Sequence, residues 1–446
     1  MTDVFSSNES FDPQGLLTGL FQTAVAAADP KVVLPRYLDR VSTELLVRDG
    51  DRAVVVIGAG KAAAAMASSL ESVWEGGALR GLVVTAYGHA MPCEQIEVIE
   101  AAHPVPDQNS EIAAQRILNL VADLNENDLV ICLLSGGGSS LLALPAPGIT
   151  LADKQQINKA LLKSGADIHE INCVRKHLSA IKGGRLATAC APAKLMTFAI
   201  SDVTGDVPGD VRAVIASGPT VADPTTRHQA LAILNKYHIA MCDAVHQWLG
   251  GSESETPKTV CGQTEFQLVA TAKQSLQAAA KQAEALGLTV LMLGDDLTGE
   301  SQALAKSHAE LVHSILDHSA LDKGQPVGVP CVILSGGETT VKVRGSGRGG
   351  RNTEYLLSLA TQLKGQAGVY ALAADTDGID GSGDNAGAIL FPNSCLRGEK
   401  LGLNAKKMLE NNDSYGYFEA LDDLIITGPT RTNVNDFRAI LVLGDQ

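Results

Sequence analysis

The sequence predicts an α/β fold: a doubly wound parallel sheet followed by a second α/β domain whose sheet is mixed. Three observations carry this. Strand-length apolar runs at 53–58 (AVVVIG), 81–86, 128–134 and 195–200 alternate with helical patterns over 61–74 and 109–124. The runs are nearly continuous Val, Ile and Leu, the composition of strands covered on both faces as in a parallel sheet. In the second half, VILSGGETTVKV (332–343) reads as a hairpin and brings antiparallel pairing with it.

At 446 residues the chain exceeds the ~250–300 at which one hydrophobic core stops growing, which predicts two domains. The small, acidic stretch GGSESETPK (250–258) is the expected linker, with the boundary near 255 dividing 1–255 from 256–446. Beyond it the pattern predicts a strand at 258–262, a helix near 271–286, a strand at 288–294 and a helix over 300–318.

Composition removes several classes of function. A formal net charge of −15 argues against nucleic acid and acidic membranes as partners, and requires any anionic ligand to find a local basic pocket. The eight cysteines show no C-x-x-C pair, which fits reduced thiols in the cytoplasm. The segment MTDVFSSNESFD has neither a basic nor an apolar leader region, and no run approaches the ~18 residues of a membrane span.

The chemistry is expected where glycine clusters follow strands. In VVVIGAGKAAAAMA (54–67), Gly58 and Gly60 turn the chain into a helix opened by Lys61, whose amides and charge suit an anion. The same letters fit G-x-G-x-x-A, the dinucleotide fingerprint, but the next strand ends in TAYGHAM with no carboxylate for a ribose. In LLSGGGSSLLALP (133–145), Ser135, Gly136, Gly137, Gly138, Ser139 and Ser140 form an expected nest of amides and hydroxyls for phosphate. Arg175, Ser179 and Lys182 share the spacing of one helix face, read either as an anion site or as a solvated basic surface. Asp202 ends an apolar strand, with Asp206 and Asp210 in the loop beyond; a carboxylate there can hold Mg²⁺ or accept a hydroxyl proton.

The second half repeats the pattern. ILSGGETTVKVRGSGRGGRNTEY (333–355) joins a turn at Gly337 and Glu338 to a loop carrying Arg344, Arg348 and Arg351, which runs into a helix. ALAADTDGIDGSGDNAG (371–387) sets Asp375, Asp377, Asp380 and Asp384 among glycines after another strand, of which Asp375 and Asp377 are alternative metal ligands.

These segments together resemble the class II glycerate 2-kinase family, which has a Rossmann-like N-terminal domain and a C-terminal MOFRL domain. The resemblance spans nearly the whole chain and rests on GAGKAA (58–63), SGGGSSLL (135–142), 171–187, SDVTGDVPGDVRAVIASGPTVAD (201–223), GGETTV (336–341), GRGGRNTE (347–354), ADTDGIDG (374–381) and TGPTRTNVND (427–436). It departs from the family at Arg431, where a small or polar residue is expected. It implies ATP- and Mg²⁺-dependent phosphorylation of D-glycerate to 2-phosphoglycerate in an interdomain cleft. Lys61 and Arg351 are then the cations for the phosphoryl group and the substrate carboxylate, Asp202 serves the substrate hydroxyl or the metal, and Gly58, Gly60, the 135–140 loop, Gly337 and Glu338 contact the nucleotide. A homo-oligomer is left open. Similar sequences bear the label hydroxypyruvate reductase, so an NAD(P)H-dependent reductase is the alternative, and a nucleotide- or sugar-phosphate-binding module without turnover is the third reading.

Overall fold

The computed structural model describes residues 11–38, 53–203, 210–317 and 327–443. The chain forms two compact units, Pro30–Ala270 and a discontinuous unit joining the segment up to Asp29 with Thr271 onward.

The first unit is built on a six-stranded sheet of order β3-β2-β1-β4-β5-β6. Its strands are β1 Val54–Ala59, β2 Leu79–Ala86, β3 Ile96–Ala101, β4 Leu129–Leu134, β5 Lys194–Ser201 and β6 Thr264–Thr271. The first five pair in parallel, with Val54 of β1 opposite Leu79 of β2 and Leu129 of β4. β1 and β4 are buried along their whole length, as their unbroken aliphatic sequences require. Helices Ala63–Val73 and Gln108–Val121 match the expected periodic segments; the second starts at a capping box in which Asp107 accepts from the Ser110 amide at 3.1 Å. Strand order reverses between β1 and β4, and in such sheets ligands sit beyond the carboxyl ends of the strands at that point.

The second unit contains a mixed six-stranded sheet of order β13-β12-β11-β14-β9-β7. Its strands are β7 Thr289–Gly294, β9 Cys331–Gly337, β11 Val369–Asp375, β12 Gly387–Leu390, β13 Leu424–Ile425 and β14 Asp436–Val442; a separate two-stranded ladder pairs β8 Gly299–Glu300 with β10 Thr339–Thr340. The sheet is mixed as expected, but not through a hairpin at 332–343. β9 pairs antiparallel with β14 and parallel with β7, while β10 leaves to join β8 in parallel. Gly337, at φ 106°, makes this departure, and a Cβ there would stand 2.2 Å from the Leu297 carbonyl oxygen.

Two further expectations are corrected. The stretch 250–258 is not a linker: Ser254 and Thr256 are buried, and the Pro257 carbonyl accepts from the Asp223 amide at 3.0 Å. The strand expected at 258–262 lies instead at 264–271 and completes the first sheet, so the division falls at Thr271 rather than near 255. The segment before Pro30 belongs to the second unit. There the helix Pro13–Ala26 packs Leu17, Leu20, Phe21 and Ala24 against Leu276, Ala279, Phe437 and Leu441. No helix among the described residues is long and apolar enough to cross a membrane, and all eight cysteines are free thiols.

Candidate functional site

In the first unit the candidate residues gather at the carboxyl ends of β1 and β4. Gly58 lies within buried β1, where a Cβ would stand 2.3 Å from the Leu133 carbonyl oxygen, and Gly60, at φ 140°, lets the turn approach the next loop so closely that a Cβ would stand 2.1 Å from Ser135 Oγ. The turn amides face inward. Gly60 N–H donates to the Val84 carbonyl (3.1 Å), Lys61 N–H to the Gly136 carbonyl (2.9 Å) and Ala62 N–H to Ser135 Oγ (2.9 Å). The amides expected to bind an anion at 60–62 are therefore engaged by the protein itself, and the helix begins only at Ala63. The Lys61 side chain at this turn is half-buried.

The 135–140 loop divides its labour differently from the expectation of a uniform nest. Ser135 is buried as a strut for Ala62. Ser217 donates to Asn172 Oδ1 (2.9 Å), so the 2.8 Å contact between Ser139 Oγ and Ser217 Oγ takes the Ser139 proton, and Ser140 gives its proton to the Pro104 carbonyl (2.6 Å). Neither hydroxyl is a spare donor. The amides of Gly136 and Gly137, by contrast, have no hydrogen-bond partner among the described residues. Gly137 is left-handed (φ 80°) and starts the short helix Gly138–Leu141. A Cβ on it would lie 3.0 Å from His103 Cδ2 and 3.4 Å from Lys61 Cγ, so both side chains cross this glycine.

Asp202 follows β5 directly and is half-buried; Asp206 and the Asp210 side chain lie outside the described residues. Arg175, Ser179 and Lys182 do not share a helix face, because the helix Ile168–His177 ends before Ser179. Nor is their surface solvated: Ser179 and Lys182 are buried, Ser179 donates to the Leu144 carbonyl (3.0 Å) and Lys182 Nζ to the Ala216 carbonyl (3.2 Å). The position after β2, where a ribose carboxylate was sought, is Tyr87, whose hydroxyl donates to Asp107 (2.8 Å).

In the second unit Arg351 opens the helix Arg351–Leu363 and is clasped by three carboxylates. Its Nε donates to Asp436 Oδ1 (2.8 Å) and Oδ2 (3.0 Å), its Nη2 to Asp375 Oδ2 (2.6 Å), and its Nη1 lies 3.2 Å from Glu338 Oε1. Burial works against the charge, but Asp436, Asp375 and Glu338 outweigh it and hold the guanidinium further above its ordinary pKa. Asp436 also receives Arg438 Nη2 (2.5 Å) and Asn352 Nδ2 (2.8 Å). Asp436 and Arg438 carry no glycine-cluster signature in the sequence. Asp436 closes the TGPTRTNVND segment, and an arginine interrupting the apolar strand 437–442 was the available signal for Arg438.

The other aspartates of 371–387 separate into distinct structural roles. Asp375 Oδ1 accepts from the Asp377 amide (3.1 Å), and Asp377 Oδ1 from the Ile379 amide (2.9 Å). Asp380 is buried and caps the 351–363 helix, accepting from the Asn352 and Thr353 amides at 3.0 and 2.9 Å. Those helix-terminal amides are thus taken as well. Asp384 accepts from the Tyr415 hydroxyl (2.7 Å), whose ring carries Arg348 at 3.9 Å. The loop around Arg344 and Arg348 is zipped to 411–415: the amides of Arg344 and Gly345 donate to Asn412 Oδ1 (2.7 and 2.9 Å), and that of Arg348 to Asp413 Oδ1 (3.2 Å). Arg431 stands exposed with φ 64° in a loop that Thr430 ties to the carbonyl of Asp377 (3.0 Å).

No group of three or more His, Cys, Asp and Glu among the described residues is arranged to hold a metal.

Comparison with known proteins places this architecture. A model described as a domain of unknown function (DUF4147) matches residues 16–250, and the MOFRL family model matches 331–436. A D-glycerate 2-kinase from Thermotoga maritima is 39% identical, over 96% of this chain and 98% of its own length. The chain belongs to the class II glycerate 2-kinase family. Within that family, a glycerate kinase crystal structure from Thermotoga maritima superposes with a TM-score of 0.84 at 38% identity, covering 96% of this chain and 99% of the other. Another member, from Agrobacterium vitis, is 51% identical over 96% of this chain and 94% of its own length and bears the name "Putative hydroxypyruvate reductase".

Proposed function

We propose that the protein is a cytoplasmic D-glycerate 2-kinase that transfers a phosphoryl group from ATP to the 2-hydroxyl and yields 2-phospho-D-glycerate. The observation that carries this reading is the loop at the switch point of the first sheet. Gly136 and Gly137 keep unengaged amides there, with Lys61 crossing Gly137, which is the equipment for a phosphoryl oxygen. Phosphoryl transfer asks for positioning and charge neutralisation rather than covalent chemistry, and Lys61 supplies a cation to it. Arg351, fixed by Asp436, Asp375 and Glu338, presents a guanidinium of set orientation suited to a carboxylate or phosphate oxygen. Mg²⁺ carried with the nucleotide would neutralise phosphate charge, with Asp202, Asp375 or Asp377 as its protein ligand.

The reductase alternative is disfavoured by the β1 turn. A dinucleotide site spends the amides of that turn on a pyrophosphate, and here those of Gly60, Lys61 and Ala62 are bonded to protein oxygens. The deciding assay supplies D-glycerate, ATP and Mg²⁺ and couples the product to enolase, which accepts the 2-phosphate and not the 3-isomer. Enolase-coupled turnover is the expected result. NADH oxidation with hydroxypyruvate, at a rate indifferent to ATP, overturns the reading.

A further inference from the structure

One cavity in the first unit has a chemistry that the expected residues do not account for. It measures about 720 Å³ and opens beside Ser139 and Ser140. Its buried or half-buried cations are Lys154, Lys182 and Arg175, with the exposed Lys159 and Lys163 also lining it; its apolar walls include Val105, Pro106 and Leu162. Lys154 and Lys182 are 2% and 1% exposed. Buried lysines are ordinarily paired with a carboxylate. Among the described residues none of these three cations forms an ion pair: Lys154 Nζ reaches only the Leu144 carbonyl (3.4 Å), Lys182 Nζ the Ala216 carbonyl (3.2 Å) and Arg175 Nε the Asn158 amide oxygen (3.3 Å).

Three basic side chains without a carboxylate partner at one cavity wall, in a protein of net charge −15, suit a multiply charged anion better than a single carboxylate. The volume lies within the roughly 300–1,000 Å³ of cofactor pockets. A three-carbon acid would fill a small part of it. We propose that this cavity binds the polyphosphate of a nucleoside triphosphate, with Lys154, Lys182 and Arg175 as counter-charges and the Val105, Pro106 and Leu162 wall against the nucleoside. The assignment rests on the kinase reading above and deepens it by placing the nucleotide in the first unit.

The titration of the pocket agrees. Burial first, then the neighbouring Arg175, lowers the Lys154 pKa to about 7, with Arg185 acting in the same direction and Glu111 opposing; burial, Lys154 and Arg175 push Lys182 well down. An arriving polyphosphate reverses the repulsion, so near pH 8 the protein takes up protons as it binds.

The test uses the full chain and a non-hydrolysable ATP analogue in titration calorimetry, with Lys154→Met and Leu162→Trp. Leu162 is 66% exposed, so its replacement fills the cavity mouth without burdening the core. Each variant should bind the analogue at least ~10-fold more weakly, the scale of one charged hydrogen bond, with the KM for glycerate unmoved. Inorganic tripolyphosphate should compete with the analogue, and binding heats at pH 8 should vary with buffer ionisation enthalpy in the sense of proton uptake. Wild-type analogue affinity in Leu162→Trp, or a raised KM for glycerate with that for ATP unchanged, overturns the assignment and leaves the kinase reading standing. Analogue binding that Leu162→Trp abolishes, in a protein without glycerate-dependent turnover, supports the pocket and refutes the substrate.

Discussion

At the scale of single residues, Lys61 and Arg351 are both cations proposed for catalysis but differ in what their removal does to the fold. Lys61 is half-buried and its amide, which any residue supplies, donates to the Gly136 carbonyl, so Lys61→Ala should lower turnover by at least ~10²-fold while the protein still folds. Near-wild-type turnover would return Lys61 to a plain turn position. Arg351 is the hub of three carboxylates, two of them buried, and deleting it leaves Asp436 and Asp375 facing each other with less compensation. Arg351→Ala should therefore cost stability as well, on the order of 3–5 kcal/mol, readable as a lowered urea midpoint alongside lost turnover. Arg351→Lys should recover part of the stability and little of the turnover, because an ammonium cannot address Asp436 and Asp375 from one plane.

Lys154 gives a residue-scale prediction in pH. Its pKa in the fold is about 7, and the unfolded chain holds the proton up to about 10.5. Between those values the unfolded state binds more protons, so folding stability falls as pH drops from 10.5 toward 7. Urea unfolding of Lys154→Met should lack this slope, becoming relatively more stable than the wild type by roughly a few kcal/mol at pH 7. Parallel stability-versus-pH curves for the two proteins would contradict a desolvated Lys154.

At the scale of elements, the start of the 351–363 helix depends on Asp380. Its two oxygens accept from the Asn352 and Thr353 amides and from Thr353 Oγ1, while Gly350 comes so close that a Cβ there would stand 2.3 Å from Asp380 Oδ1. Asp380→Ala should cost about 1–3 kcal/mol from the orphaned amides, and Asp380→Asn less, measured by thermal unfolding. Equal losses for the two would show that something other than the cap is being removed. This cap also marks where the sequence was hard to read. An aspartate among glycines at 375–384 has the same letters whether it ligates a metal or ties a distant helix, and only the tertiary approach of Gly350 distinguishes them. The glycines of 345–349 point the same way: they look like an anion loop, yet they admit the backbone and side chains of 411–414. What was legible were the buried strands β1, β2, β4 and β5, whose aliphatic runs allow few alternatives, with loops at their ends; β3, IEVIEA, is only part-buried and carries no such run. Partnerships between segments far apart in sequence, such as β9 with β14 and Arg351 with Asp436, leave no local pattern.

At the scale of the molecule, the division at Thr271 makes the second unit depend on residues from the other end of the chain. Phe21 is buried against Phe437, with ring centroids 5.9 Å apart. Phe21→Ala should destabilise that unit by about 3–5 kcal/mol. Hydrogen exchange should accelerate in 272–285 and 437–442 and stay unchanged in the strands 54–59 and 129–134. Acceleration in both sets would mean that the two units unfold as one.

The helix Pro13–Ala26 has a consequence for birth rather than for catalysis. A ribosome delivers this segment long before its partner strand Asp436–Val442. At about 5–20 residues per second the interval is on the order of 20–80 s, long enough for the intervening parallel sheet to fold by itself. Until Ala272–Ala285 emerges the face formed by Leu17, Leu20, Phe21 and Ala24 has no native partner, and until Asp436–Val442 follows its site stays incomplete, which makes this segment a natural client of a chaperone.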